Sequence, residues 1–390
     1  MLFSNRLLIL VGFASLLNTA TLNAQVMDKV VEFFTIHPNQ KRAEQDSSLY
    51  PSKIVMAPIL MYSPETSFGA GVGAKYLFKF KGSGPETRTS NMPMSVLYTL
   101  ENQFIAHSGF EIFSNGERWM LTGNLRFKVF PQYYFGVGRT SSTSDREQYS
   151  SKQILAEPML LRQTPLRYLF VGGGFRYNHV RDVEASAEGT LLTENYTGAL
   201  GSTSVGAQFA AVYDSRDNLL NANRGWFAEL THGIYSTDFG GTHNFQLTRL
   251  DLRKYISVPR LSLYSKRSAV MAFQLLTHLS FGEPPLYELA TLGGSRMMRG
   301  YYEGRFLDRK LIATQFEYRT ALSERVGGVL FAGVGDVASN LGDFKIQNFR
   351  ASVGLGLRFL LDKRENLNIR ADWGFGNSTN NYYLNIAEAY

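Results

Sequence analysis

Apolar and polar residues alternate one by one along most of this chain. In "FRASVGLGLRFLL" (349–361), Phe349, Ala351, Val353, Leu355, Leu357, Phe359 and Leu361 fall on one face. Arg350, Ser352, Gly354, Gly356 and Arg358 fall on the other. A period of two sends successive side chains to opposite faces of a strand. "LNIRADWGFG" (367–376) repeats the pattern, with Leu367, Ile369, Ala371, Trp373 and Phe375 against Asn368, Arg370, Asp372, Gly374 and Gly376. "SFGAGVGAKYLF" (67–78) and "SVGAQFAAVYD" (204–214) do the same. Apolar on one side and small, charged or amide on the other describes a strand between lipid and a wet lumen.

The alternation predicts strands over 67–80, 91–101, 105–114, 117–129, 133–140, 151–163, 167–181 and 202–214. It continues with 225–237, 243–258, 267–281, 309–320, 326–338, 348–362, 366–376 and 382–390. That makes sixteen, an even number, as a bacterial transmembrane barrel requires. Segment 243–258 slips phase near Arg249, which predicts a β-bulge. Outer loops are long and periplasmic turns short in such barrels. With the strand at 67–80 running outward, the outer connections include 81–90, 115–116, 141–150, 182–201, 282–308 and 339–347, and the C-terminus ends in the periplasm. "SRDNLLNANRG" (215–225) is then a rather long periplasmic turn.

The N-terminus, "MLFSNRLLILVGFASLLNTATLNAQ", has Arg6, an apolar run from Leu7 to Leu17, and small or polar residues up to Ala24. This is the layout of a secretory signal peptide over 1–24, too short to span a bilayer. Residues 25–66 read as a short periplasmic segment: "VMDKVVEFFTIHPNQ" as a short amphipathic helix, "RAEQDSSLYPS" as a polar linker, and "IVMAPILMYSPE" as an extended piece leading into the barrel at 67–390. The chain of 390 residues has no cysteine, which excludes disulfides and thiolate metal sites, while Tyr 21, Phe 28 and Gly 36 suit an exported barrel. A formal net charge of +7 suits anionic head groups and lumenal arginine equally.

Enzyme chemistry finds no footing. His37, His107, His179, His232, His243 and His278 are scattered without metal-ligand spacing, and no G-x-S-x-G elbow is present. "GAGVGA" would cradle phosphate only if a helix followed, and a strand follows instead. The expectation is a non-enzymatic protein without cofactor.

One stretch breaks the alternation: "LATLGGSRMMRGYYEGRFLDRKLIATQFEYR" (289–319), with Arg296, Arg299, Arg305 and Arg309. It lies mostly in the longest outer loop. Arg299-Gly300-Tyr301, preceded by "LGG" at 292–294, resembles the arginine-glycine-aromatic tip of the sixth outer loop in the outer-membrane assembly-factor superfamily, the BamA/TamA-like or bacterial surface antigen barrels. "YDSRDNLLNANRGW" (213–226) is similar to that family's periplasmic turn, and "FAGVGDV" (331–337), "GLGLRFLLDKRENLNIRADWGFG" (354–376) and the terminal Tyr390 add to the match. The resemblance covers roughly residues 60 to 390.

It implies that the loop folds back into the lumen and that Arg299 pairs with acidic residues on the wall, which by position are Glu317 and Asp336. Alternation independently turns Glu317 inward, since Gln315, Glu317 and Arg319 share a face opposite Phe316 and Tyr318. Asp214, Arg216, Asp217 and Arg224, followed by Gly225, crowd one turn, where they brace the rim or dock a periplasmic partner. Tyr382, Leu384, Ile386 and Tyr390 share a face and resemble the C-terminal sorting signal of outer-membrane proteins. The implied activity is insertion or translocation of proteins at the outer membrane, through a seam between first and last strands. The implied partners are outer-membrane lipids, lipopolysaccharide, client barrels and a periplasmic delivery subunit, because residues 25–66 cannot hold the family's POTRA domains. Lipid movement at the seam, or a structural or pore subunit, are the alternatives.

Overall fold

The computed structural model describes residues 35–390 except 47–48, 142–145, 220, 265 and 363–365. The predicted signal peptide and most of the predicted helix lie outside the described residues. Sixteen antiparallel strands form one continuous wall. They are β1 (Lys53–Ser63), β2 (Ser67–Phe78), β3 (Ser90–Thr99), β4 (Phe104–Phe113) and β5 (Trp119–Val129). Next come β6 (Glu147–Ala156, continued by Met159–Gln163), β7 (Leu169–Glu184), β8 (Ser202–Asp214) and β9 (Gly225–Tyr235). Then follow β10 (Phe245–Val258), β11 (Ala269–Gly282), β12 (Lys310–Ala321) and β13 (Val326–Ala338). The last three are β14 (Arg350–Asp362), β15 (Leu367–Gly376) and β16 (Thr379–Ile386). Each pairs with its sequence neighbours, and β16 returns to β1.

Burial follows the alternation. Val353 and Leu355 are half exposed on the outer surface, whereas Ser352, Arg358, Asn368, Arg370 and Asp372 are buried behind them. Leu60, Phe68, Val72 and Phe209 are exposed in the same way. An apolar exterior around a polar interior is the transmembrane arrangement: the ladder satisfies backbone groups and the outward side chains meet lipid.

The count of sixteen holds, but two of its members differ. Lys53–Ser63 is a wall strand, paired residue by residue with β2, so the barrel begins at 53 rather than 67. Segment 133–140 is not a wall strand: Gln132–Tyr134 forms a short outer ladder with the start of β6, Gln132 facing Tyr149. The aromatic alternation there serves loop packing, with Tyr134 and Phe135 buried. In β1, apolar residues on both faces and Pro58 mask the signal; proline is tolerated because β1 lies at a sheet edge. These offsetting differences reverse the direction of the strands between 67 and 129. Connections 79–89 and 114–118 therefore lie at the inner end, where the first described residues, Thr35–Ile36, meet the start of β1. There Arg88 meets Glu117 at 3.0 Å and Asp214, at the base of the 215–224 turn, at 3.8 Å.

No bulge interrupts β10, whose registers with β9 and β11 are continuous. Its inward residues change chemistry instead. Phe245 and Leu247 pack on Tyr235, and Arg249, Asp251 and Arg253 follow in the same phase. Register shifts occur instead in β7 between Arg181 and Glu184 and between β14 and β15 at Leu360/Asp362.

Candidate functional site: the loop tip and the seam

The connection 283–309 between β11 and β12 is built around a small ladder, Ala290–Leu292 with Phe306–Asp308. Gly293 and Gly294 take positive φ (112° and 106°), and the Gly294 amide donates to the Tyr301 carbonyl at 3.0 Å, closing the tip. Leu292, Met298 and Tyr301 are buried with Leu311, Ala313 and Val337, inward residues of β12 and β13. The loop base is held separately. Arg176 of β7 donates to both carboxylate oxygens of Glu288 (2.8 and 2.7 Å), and the Asn178 amide adds a third bond at 2.7 Å.

Arg299 is fully buried. One guanidinium nitrogen donates to Glu317, and the other to Asp372 at 2.6 Å. Its planar fork spans two carboxylates on different strands, which a lysine ammonium could not do. The Phe331 ring lies 3.6 Å below the guanidinium carbon, and the Arg299 carbonyl accepts from the Ser352 hydroxyl at 2.7 Å. Both carboxylates have further partners. Arg319 donates to Glu317 at 2.7 Å, and Arg358 and Arg370 to Asp372 at 2.5 and 2.8 Å. A buried charge needs this degree of pairing to remain ionised.

Of the two acidic residues expected beside Arg299, only Glu317 is there. Asp336 meets Arg350 at 3.2 Å and Arg139 at 3.1 Å. It is buried near the end of β13, where the alternation of exposure stops, and these two arginines rather than Arg299 take its carboxylate. Asp372 takes its place. Its inward phase was legible in "LNIRADWGFG", but nothing marked it above its neighbours.

Gly300 has φ 113°, and a Cβ there would come within 2.7 Å of the Phe375 backbone, so only glycine fits. Its amide donates to the Tyr383 hydroxyl at 3.0 Å, and its carbonyl accepts from Thr379 and Asn381 at 3.1 and 2.7 Å. Tyr301 then bridges the wall. Its hydroxyl donates to the Ala351 carbonyl at 3.0 Å and accepts from the Asn377 amide at 2.9 Å. The first ladder pair between β14 and β15 is Val353 with Phe375, so this bridge takes over where their ladder ends. Three consecutive residues thus tie β12 through β16 together.

The opposite flank is joined more sparsely. Glu65, in the turn between β1 and β2, is 5% exposed and accepts from the Glu303 amide at 2.6 Å. Burial, reinforced by the neighbouring Glu303 carboxylate, pushes the Glu65 carboxyl up to about 7. Between β1 and β16 there is one ladder pair, Tyr62 with Leu384. Every other neighbouring pair of wall strands is laddered over a long stretch, β1–β2 from Lys53 to Ser63 for example. The family resemblance implies a seam beside 67–78. The structure places it at β1.

The inner-end turn gathers its expected residues. Arg216 pairs with Asp214 through two 2.9 Å bonds and lies over the Phe227 ring. Asp217 accepts from the Asn223 and Arg224 amides at 2.9 and 3.2 Å. Gly225 has φ 111°, and a Cβ would sit 2.3 Å from the Ser215 carbonyl. At the C-terminus the shared face breaks up. Tyr382 stacks on outward Trp373, but Ala387 takes φ 68° and the chain turns inward. Tyr390 is buried beside Tyr255, Ala272 and Ala222, donating to the Ala272 carbonyl at 3.0 Å. Glu388 meets Arg358 at 2.7 Å. Tyr390 therefore leaves the face of Tyr382, Leu384 and Ile386.

Among the described residues no His, Asp or Glu cluster is arranged to hold a metal ion. The arrangement is suited to holding wall strands in place and leaving one junction weak.

Comparison with known proteins gives the same architecture. No curated protein matches the chain. Among solved structures, BamA from Haemophilus ducreyi lacking POTRA domains 1–3 superposes with a TM-score of 0.54 at 13% identity, covering 86% of this chain and 70% of that one. CdiB from Acinetobacter baumannii gives 0.55 at 13% identity, covering 87% of this chain and 60% of that one. At this identity the likeness is one of fold. Residues 98–381 match the family described as the Omp85 superfamily domain, a span that runs from β3 to β16 and includes the whole loop tip. The chain belongs to the Omp85 superfamily of outer-membrane β-barrels.

Proposed function

We propose that this barrel assists the insertion or translocation of proteins at the outer membrane, without enzymatic chemistry, by parting at the seam between β1 and β16. The observation that carries this reading is the asymmetry of the seam. On one side the Arg299–Gly300–Tyr301 tip clamps β12–β16 into a unit. On the other, β1 meets β16 through the single pair Tyr62–Leu384. A strand edge with unpaired amides and carbonyls is a template for another strand, and in a bilayer such an edge has no water to satisfy it. A client strand would supply what the wall lacks. Lipids and lipopolysaccharide surround the barrel in this reading, and a separate periplasmic subunit delivers clients.

Depletion of the protein followed by quantitative proteomics of the outer membrane tests the proposal. Loss of many barrels, or of one defined subset, is expected. An unchanged protein inventory with altered lipid asymmetry would contradict it.

A further inference from the structure

The seam side of β1 is not bare along its whole length. At its outer end Tyr62 pairs with Leu384. At its inner end Val55 and Ile54 pair antiparallel with Thr35 and Ile36, a two-residue strand from upstream in the same chain. Residues 56–61 between them have no ladder partner on that side among the described residues.

The segment joining this strand to β1 is pinned. The Asn39 side-chain oxygen accepts from both the amide and the hydroxyl of Ser52 at 2.8 Å, and its amide group donates to the Tyr50 carbonyl at 3.0 Å. After the short helix Gln40–Gln45, Asp46 lies 3.0 Å from Lys81 in the inner-end connection 79–89. These contacts fold the chain back so that Thr35–Ile36 reaches the edge β16 leaves open. The reach is limited: two ladder pairs, with Ile36 half exposed. Pro58 stands in the open stretch and offers no amide, so a partner pairs there with one donor missing. The inner end of β1 is thus the part of the edge best able to hold a strand, and this chain's own residues hold it.

We propose that Thr35–Ile36 is an intramolecular edge guard, a strand of this chain that occupies the inner end of β1 and has to leave before a client strand can pair along its length. The proposal rests on the insertion reading, and the experiment below separates the two. The chain has no cysteine, so an introduced pair is unique. Facing positions in an antiparallel pair fall within disulfide range. Three full-length forms are compared in detergent: the unmodified protein, Thr35→Cys/Val55→Cys, and Thr35→Pro/Ile36→Pro, whose strand can no longer donate to β1. The probe is a labelled peptide of residues 379–390, the chain's own last strand, with binding read by fluorescence polarisation.

The guard predicts binding several-fold tighter to the proline form than to the unmodified protein, and weakest to the oxidised cysteine form, with recovery on reduction. Equal affinity in all three forms overturns it. If the proline form does not fold, the oxidised-versus-reduced comparison decides: no difference overturns the guard. Discrimination among the forms, in a protein that inserts no client barrel into liposomes, supports the guard and overturns the insertion reading.

Discussion

At the residue scale, Arg299 is held by two buried carboxylates, and their identity makes a sharp prediction. Removing one partner of a buried pair costs roughly 3–5 kcal/mol, because a charge is left uncompensated. Asp372 takes one arm of the guanidinium and Asp336 takes none. Asp372→Asn is therefore expected to lower the unfolding midpoint of the barrel, read by heat-modifiability on gels, well beyond Asp336→Asn. Equal effects would mean that the tip is not fixed through Asp372. Arg299→Lys should resemble Arg299→Ala more than the native protein, since an ammonium cannot span Glu317 and Asp372 together.

Glu65 makes a second prediction at this scale. Its folded carboxyl is raised to about 7 from 4.5, so between those values the folded state binds more protons than the unfolded one. Its contribution is fully present below about pH 4.5 and is lost as the pH rises through about 7. The Glu303 amide, which donates to Glu65, should exchange with deuterium faster, relative to its intrinsic rate, at pH 8 than at pH 5. Glu65→Gln should remove that excess acceleration. An unchanged profile in the variant would assign the effect to another group.

At the element scale, the loop tip works as a splice in the wall. Tyr301 stands between β14 and β15 where their ladder stops, and its hydroxyl serves both strands. Tyr301→Phe keeps the ring but removes the hydroxyl's bonds to the Ala351 carbonyl and the Asn377 amide, each worth about 0.5–1.5 kcal/mol. Faster exchange at Asn377, with little change in the middle of β15, is the expected signature. Exchange spread evenly along β15 would mean that the ring, not the hydroxyl, closes the gap.

Strands with a clean period of two, such as β2, β8, β14 and β15, were legible in full because one face meets lipid and the other a polar lumen. β1 was not, because it is apolar on both faces and carries Pro58. Gln132–Tyr134 imitated a strand through aromatic alternation that serves a loop. The arginine-glycine-aromatic triplet located the tip and Glu317 one of its partners. Asp372 stayed hidden because alternation reports which face a residue is on, not which residues on that face meet a loop arriving from elsewhere in the chain. Tyr390 was misplaced because its face depends on one backbone turn at Ala387, which no periodicity records.

At the scale of the whole molecule, the barrel is a closed wall with one weak junction, and the contents of its interior are arranged around that junction. The loop tip secures β12–β16, the C-terminal residues are drawn inward to Arg358 and Ala272, and the first hairpin joins the loop through Glu65. Opening at the seam would need little more than parting Tyr62 from Leu384, releasing Glu65 and displacing Thr35–Ile36, whereas opening elsewhere would break a full ladder in lipid.

The most direct test is a reversible lock at that junction. Tyr62→Cys/Leu384→Cys, in a chain with no other cysteine, is placed in liposomes with an unfolded eight-stranded outer-membrane barrel as client. Folding of the client is followed with the lock oxidised and then reduced. The seam account predicts acceleration by the unmodified and reduced protein, and a rate no faster than that of empty liposomes when the lock is closed. Equal client folding with the seam locked and unlocked would contradict it.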